Sequence, residues 1–308
     1  MNKKTYRVFT GFMKSFLISF LFLFCFAAGI LLWIFLPKSA PVRQTEPMTV
    51  YLPENDEAIT LLVAGRDTRV DTADKFYLMR YQKSEITVFP VHGKSFTEIN
   101  GKAFNLSKFY DYGGAGMALL AVEKIFGIKI DRYIRTDIDS TARIADFLGG
   151  MIYDLEREIR YENNNSQIYL HLNPGRQTLD GLRFAAVMRS GENNFLCRNK
   201  DIHRCAPNSP CYDDINLLNW RASLLSEFLG QAISRDISRE LDGLFDLLLS
   251  VDGNLSEYDL VRRKNGLETL IAEGSLTIKT IEVTGDFAAN GTFRYSSQTL
   301  VDVSNSFG

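Results

Sequence analysis

Thr60-Leu61-Leu62-Val63-Ala64-Gly65-Arg66-Asp67-Thr68-Arg69 joins an apolar run to a glycine and then, at once, to a cluster of charge. A short apolar run bounded by a turn signal reads as a buried strand. Asp74 follows a few residues later and opens a second run, Lys75-Phe76-Tyr77-Leu78-Met79. Strand ends in α/β sheets are where ligands collect. Asp67 and Asp74 lie seven residues apart across a tight loop, a spacing that suits a hard cation such as Mg²⁺. Arg66 and Arg69 beside them suit a phosphate or pyrophosphate, because a guanidinium pairs bidentately with phosphoryl oxygens. A charged turn carrying surface ion pairs accounts for the same residues, and composition alone favours it.

Working outward, residues 76–81 and 85–90 read as two more strands joined by the polar turn Gln82-Lys83-Ser84. Residues 104–110 look helical and stop at Gly113-Gly114, and a second helix over 116–126 stops at Gly127. A strand over 132–137, a helix over 140–148 ended by Gly149-Gly150, and a strand over 151–155 follow. Residues 163–166 form a turn, and 175–181 a loop leading into a helix over 182–188. An amphipathic pattern runs through 215–233, and 236–273 hold two further helical stretches. The tail from Leu276 reads as strand, turn, strand, with 280–283 first and a turn region over 285–291. Interleaved strands and helices without an internal repeat predict an α/β domain with one central mixed sheet flanked by helices.

The 308 residues carry a net charge of −2, which allows one or two domains and gives no general attraction to nucleic acid. The most apolar stretch is N-terminal. Residues 15–36 contain no charged side chain in 22 positions, enough helix to cross a hydrocarbon core of about 30 Å. Lys3, Lys4, Arg7 and Lys14 precede it and only Lys38 and Arg43 follow closely, so the positive-inside bias places the N-terminus in the cytoplasm. A cleaved signal peptide is the competing reading, but the apolar run is longer than a signal core. The expected organisation is a cytoplasmic segment (1–14), a transmembrane helix (15–36), a proline-bearing linker (37–57) and an extracytoplasmic domain (58–303). Cys25 falls within the apolar run, whereas Cys197, Cys205 and Cys211 share one loop with His203. A disulfide with one leftover thiol, free thiols, and a zinc site all remain open there, the last with poor ligand spacing. His92, His171 and His203 sit in no triad or zinc-protease motif.

The order of segments adds what no single motif carries. Leu61 to Arg69 resembles the opening strand and Gly-x-Asp-x-Arg of the LytR-CpsA-Psr family, and Asp74 to Met79 is similar to its Ser-Asp-Thr strand. Asn105 to Gly114, Gly127-Ile128-Lys129-Ile130-Asp131-Arg132-Tyr133 and Asp146-Phe147-Leu148-Gly149-Gly150 match further family segments in order. Leu172-Asn173-Pro174-Gly175-Arg176-Gln177-Thr178-Leu179-Asp180-Gly181, followed by Arg189, resembles Leu-x-Pro-Gly-x-Gln-x-Leu-Asp-Gly and the first helix arginine. The family's domain, also labelled a cell-envelope-related transcriptional attenuator, is membrane-anchored on the outer face of the cell. It transfers a glycopolymer from a polyprenyl-pyrophosphate carrier to peptidoglycan with Mg²⁺.

The resemblance implies Asp67 and Asp74 as Mg²⁺ ligands and Arg69, Arg189 and Arg221 as catalytic groups. It implies Asp67, Arg66, His92, Lys94 and Gln177 as substrate contacts, and an apolar tunnel for which Phe104, Leu120, Phe126, Phe147 and Phe184 are candidate liners. The implied partners are the polyprenyl-linked glycopolymer, peptidoglycan and membrane lipid. The chain departs from the family on its chemistry. The family's Pro-Arg-Asp becomes Pro90-Val91-His92, with Lys94 as a nearby point charge. Gly191, Leu217 and Trp220 stand where arginines are expected, and Arg221 compensates only by a one-residue shift. The alternative is therefore a catalytically impaired relative that binds a polyprenyl (pyro)phosphate or a wall partner.

Overall fold

The computed structural model describes residues 58–67, 72–156, 158–163, 168–190, 195–196 and 214–308. The apolar segment 15–36, the linker 37–57, Arg69, Gly191 and the loop holding Cys197, His203, Cys205 and Cys211 lie outside these residues, as does the side chain of Asp67. Among the described residues no helix is long and apolar enough to cross a membrane.

Three strands, β1 (Ile59–Asp67), β2 (Thr72–Gln82) and β3 (Glu85–His92), form an antiparallel meander. A hairpin of β4 (Phe96–Ile99) and β5 (Lys102–Asn105) turns at Asn100-Gly101, both in the left-handed region that a two-residue turn demands. Helix α1 (Leu106–Phe126) is capped by Asn105, interrupted at Gly113-Gly114 and stopped by Gly127 in the αL conformation. Strand β6 (Arg132–Thr136) then lies parallel to β1, and α2 (Ile138–Phe147) starts on a capping box of Asp137 and Ser140. Next come β7 (Met151–Leu155), a hairpin of β8 (Glu158–Asn163) and β9 (Ile168–Leu172), and β10 (Gly175–Leu179), which pairs with β7. Helix α3 (Gly181–Arg189) and a two-residue β11 (Phe195–Leu196) precede the long α4 (Asp214–Ser234). A 3₁₀ turn, α5 (Leu241–Leu249), β12 (Asp252–Gly253), α6 (Glu257–Ala272) and β13 (Thr277–Thr280) follow. The hairpin of β14 (Gly285–Phe287) and β15 (Phe293–Tyr295) and helix α7 (Ser297–Phe307) end the described chain.

The central sheet has the order β12-β6-β1-β2-β3-β13. Its β1–β6 and β3–β13 contacts are parallel and the others antiparallel, so the expected mixed α/β sheet flanked by helices is present. The two-residue period of the strands divides it into faces. Leu62, Ala64, Phe76, Leu78, Phe89 and Val91, all fully buried, pack against Phe109 and Tyr110 of α1 and Val303 and Phe307 of α7. Val63, Tyr77, Met79 and Val88 face the other way, toward α2, α3 and α4. Both faces are covered, which is why these strands read as continuous apolar runs. On the second face Leu61, Val63 and Met79 are only partly buried, because helices and sheet do not close fully over them.

Several local expectations are corrected. Residues 175–179 form a strand where a loop was expected, since they ladder with β7 although only Leu179 is buried. The strand expected at 280–283 lies at 277–280. The domain does not end at 303: α7 continues to Phe307, with Thr299, Val303 and Phe307 buried at four-residue spacing, and Arg80 Nη1 donates to the Phe307 carbonyl at 2.7 Å.

Gly150 fixes how β7 and α3 meet. Its φ is +63°, and a Cβ there would fall 2.5 Å from the Leu179 carbonyl oxygen. Gly127, at φ +67°, has open space around the same position. Gly127→Ala is therefore expected to cost about 1–2 kcal/mol from backbone strain alone. Gly150→Ala should cost clearly more in a urea melt; equal losses would show that the β7–α3 junction has room for a side chain.

Candidate functional site

At the open end of β1 and β2 the pairing slips. Gly65 faces Lys75, but Arg66 faces Ala73, so Asp74 is the extra residue of a bulge. Such a bulge bends the strand and re-aims a side chain. The Asp74 carboxylate, 57% exposed, meets Arg189 from the last turn of α3 at 3.1 Å and the ammonium of Lys75. The same Arg189 nitrogen donates to the Gly65 carbonyl at 3.1 Å. Arg221, buried in α4, donates to the carbonyl of Ser190, the residue that caps α3, and its charge acts on both Asp74 and Lys75. Three cations thus converge on one carboxylate.

The titration of the group follows from this crowding. Burial pushes the Asp74 carboxyl up, but Lys75 and Arg189 outweigh it and hold the group below the usual carboxylate range. Burial pushes the Lys75 ammonium down, and Arg221 and Arg189 push the same way, so Asp74 restores only part of the loss. The arrangement is short of negative charge and suited to a polyanion.

Below these groups lies a cavity of about 250 Å³ between the second sheet face and the helices. Gly65, Lys75, Thr136 and Arg189 lie on its lining, and the remaining wall is almost wholly apolar, including Leu61, Val63, Met79, Ile134, Ile144 and Phe184. A second cavity of about 200 Å³ shares Leu148, Leu229, Leu244 and Leu248 with the first and reaches Ile59 and Tyr81. The lining therefore follows β1 from Gly65 back to Ile59, a span of about 20 Å at 3.3 Å per residue.

Of the candidate liners, only Phe184 borders this cavity. Phe126 belongs to the core on the opposite sheet face, Phe104 packs at that core's edge, and Leu120 and Phe147 are exposed. Of the candidate site residues, the structure brings Asp74, Arg189 and Arg221 together. Arg66 lies near Asp137 and Asp252 at 4.0 and 3.6 Å, and Asp252 also pairs with Arg135. Gln177 Nε2 donates to the Asn173 carbonyl at 2.5 Å. His92 is buried and stacked on Phe293 at 4.5 Å, with Nδ1 accepting from the Lys94 amide, and Lys94 Nζ lies 5.1 Å from the Phe287 ring centre. None of these four borders the cavity. Lys75 and Tyr77 do, and were missed. Their signal was a lysine and a tyrosine at the two-residue spacing of one strand face directly after Asp74.

Among the described residues no three His, Cys, Asp or Glu side chains cluster as metal ligands. Mg²⁺ needs fewer, since it typically takes one or two carboxylates and draws its other ligands from substrate phosphates and water. Asp74, at the open end of the hairpin, supplies one carboxylate of that kind.

The LytR_cpsA_psr family profile matches residues 37–206. The polyisoprenyl-teichoic acid–peptidoglycan teichoic acid transferase TagU of Halalkalibacterium halodurans is 24% identical over 203 residues, covering 62% of this chain and 64% of that protein. The chain thus spans less than two thirds of that relative's length. TagV of B. subtilis superposes with a TM-score of 0.58 at 16% identity, covering 82% of this chain and 96% of that one. TagT bound to LI-WTA gives 0.55 at 18% identity, covering 82% and 89%. At these identities the structural likeness shows the fold.

Because the folded state lowers the Lys75 pKa, its charged form is penalised fully at neutral pH, and the penalty fades as pH rises toward the usual value of 10.5. Lys75→Met should therefore melt higher than the parent at pH 7. The difference should shrink toward pH 10.5, as followed by thermal melts across that range. A lower melting temperature would show that the Lys75–Asp74 pair stabilises the fold.

Proposed function

The chain belongs to the LytR-CpsA-Psr family, and on that footing we propose that its folded domain transfers a glycopolymer from a polyprenyl-pyrophosphate carrier to peptidoglycan. One observation carries this reading: an apolar cavity opens beneath a cluster of Lys75, Arg189, Arg221 and Asp74. An apolar tail under a cationic rim is the complement of a lipid with an anionic head. The similarity to TagU, a polyisoprenyl-teichoic acid–peptidoglycan teichoic acid transferase, supports the same substrate class.

In the proposed step, an acceptor hydroxyl oxygen bonds to the phosphorus that bears the polymer. The bond from that phosphorus to the bridging oxygen breaks, the polyprenyl phosphate leaves with the electron pair, and the acceptor proton is released to water. Arg189 and Lys75 hold phosphoryl oxygens and oppose the charge that develops on the leaving phosphate, where fixed donors act most strongly. Arg221, donating to the carbonyl that caps α3, orients Arg189 and adds charge from behind. Asp74, kept ionised by its cationic neighbours, accepts from Arg189 and with Asp67 would hold Mg²⁺. Bound there, the ion would neutralise pyrophosphate charge. Residues 15–36 are proposed as a single-pass anchor that keeps the domain on the outer face, within reach of a carrier whose tail lies in the bilayer.

A second reading, lipid binding without turnover, draws on α4. Leu217 is buried in the core and Trp220 donates to the Tyr153 hydroxyl, at positions where the family resemblance expects arginines. Incubating the full chain in detergent with a polyprenyl pyrophosphate and Mg²⁺ separates the two. Phosphate release is expected, with Asp74→Ala abolishing it and Arg189→Ala slowing it about 100-fold or more. Lipid binding without release would leave the second reading.

A further inference from the structure

Tyr77 lies two residues beyond Lys75 on the cavity side of β2, about 7 Å deeper along the strand. Its side chain is 5% exposed, and its hydroxyl has no hydrogen-bond partner among the described residues. Buried hydroxyls are ordinarily paired, so an orphan one in a cavity wall points to a missing ligand. The charges that act on it are Arg221, Asp74 and Arg189, which places the hydroxyl beneath the rim rather than at the apolar far end. Burial pushes its pKa up to about 12, so at neutral pH it is a protonated donor.

Resting on the lipid-carrier reading above, we propose that the Tyr77 hydroxyl and the Lys75 ammonium form an inner oxyanion subsite, which binds the phosphate that stays esterified to the prenyl chain. A prenyl tail among Leu61, Val63 and Met79 leaves its own phosphate at the level where the wall turns from apolar to cationic. Tyr77 is a polar group of that wall. The outer phosphate, the one that bears the polymer, then lies further out at the rim, with Arg189 between the two phosphates. The subsite thus recognises a prenyl monophosphate, and it holds that product after the transfer.

The test compares the full chain with Tyr77→Phe in nonionic detergent, using calorimetric binding of geranylgeranyl monophosphate and of geranylgeraniol together with thermal melts. Tyr77→Phe should bind the monophosphate about tenfold more weakly and the alcohol equally well. Its lipid-free melting temperature should be unchanged or higher, because the hydroxyl it loses has no partner among the described residues. Equal monophosphate affinity in the two proteins overturns the subsite while leaving the carrier reading intact. A lowered melting temperature also overturns it, by showing that the hydroxyl serves the fold. If the parent chain binds neither compound, the carrier reading fails and the subsite fails with it.

Discussion

One guanidinium nitrogen of Arg189 donates to both the Gly65 carbonyl and the Asp74 carboxylate, and through it the last turn of α3 is fastened to the end of the sheet. Arg221 repeats the tie one layer back, joining α4 to the carbonyl that ends α3. These contacts set where two helices stop relative to β1 and β2. The cavity has an opening there because charged ends, rather than apolar side chains, make the last contact. The bulge at Asp74 belongs to the same constraint, since a regular ladder would not leave that residue free of a cross-strand partner.

The two faces of the sheet divide the work. Against α1 and α7 the side chains of β1, β2 and β3 are fully buried, and aromatic contacts such as Phe89 on Phe126 at 5.3 Å fill the layer. Packing at that density rigidifies the strands. The opposite layer is then free to carry a void, which by itself forfeits contacts and weakens a fold. Lys75 and Tyr77 add to that cost, one as a crowded cation and the other as an orphan hydroxyl. Stability is thus concentrated on one side of the sheet and spent on the other.

How far the sequence discloses this depends on how local each signal is. The first three strands, β6 and helices α2 to α4 announce themselves by apolar runs, caps and glycine stops that act within a few residues. Asp74, Arg189 and Arg221 were legible from their places in an ordered series of motifs. His92 and Lys94 were not, because what positions them is the distant pair Phe287 and Phe293. Lys75 and Tyr77 hid inside a run that otherwise reads as core, where only the alternation of the strand tells which side chains face the cavity. The strand at 175–179 was obscured by its polar sequence, since its ladder with β7 carries it and burial does not. Gln177 stays with that ribbon rather than joining the cationic rim.

The parallel seam between β3 and β13 has a bearing on how the molecule comes into being. β3 ends at His92, and its edge partner starts at Thr277, so nearly two hundred residues intervene before that edge is covered. Arg80 waits longer still for the Phe307 carbonyl. A chain emerging N-terminus first completes its central meander early and must hold an open strand edge until β13 arrives. Contacts of such long range fold slowly, and unpaired edges invite wrong partners meanwhile. The interval between the synthesis of β3 and of β13 is thus the period in which this protein most needs protection from its neighbours.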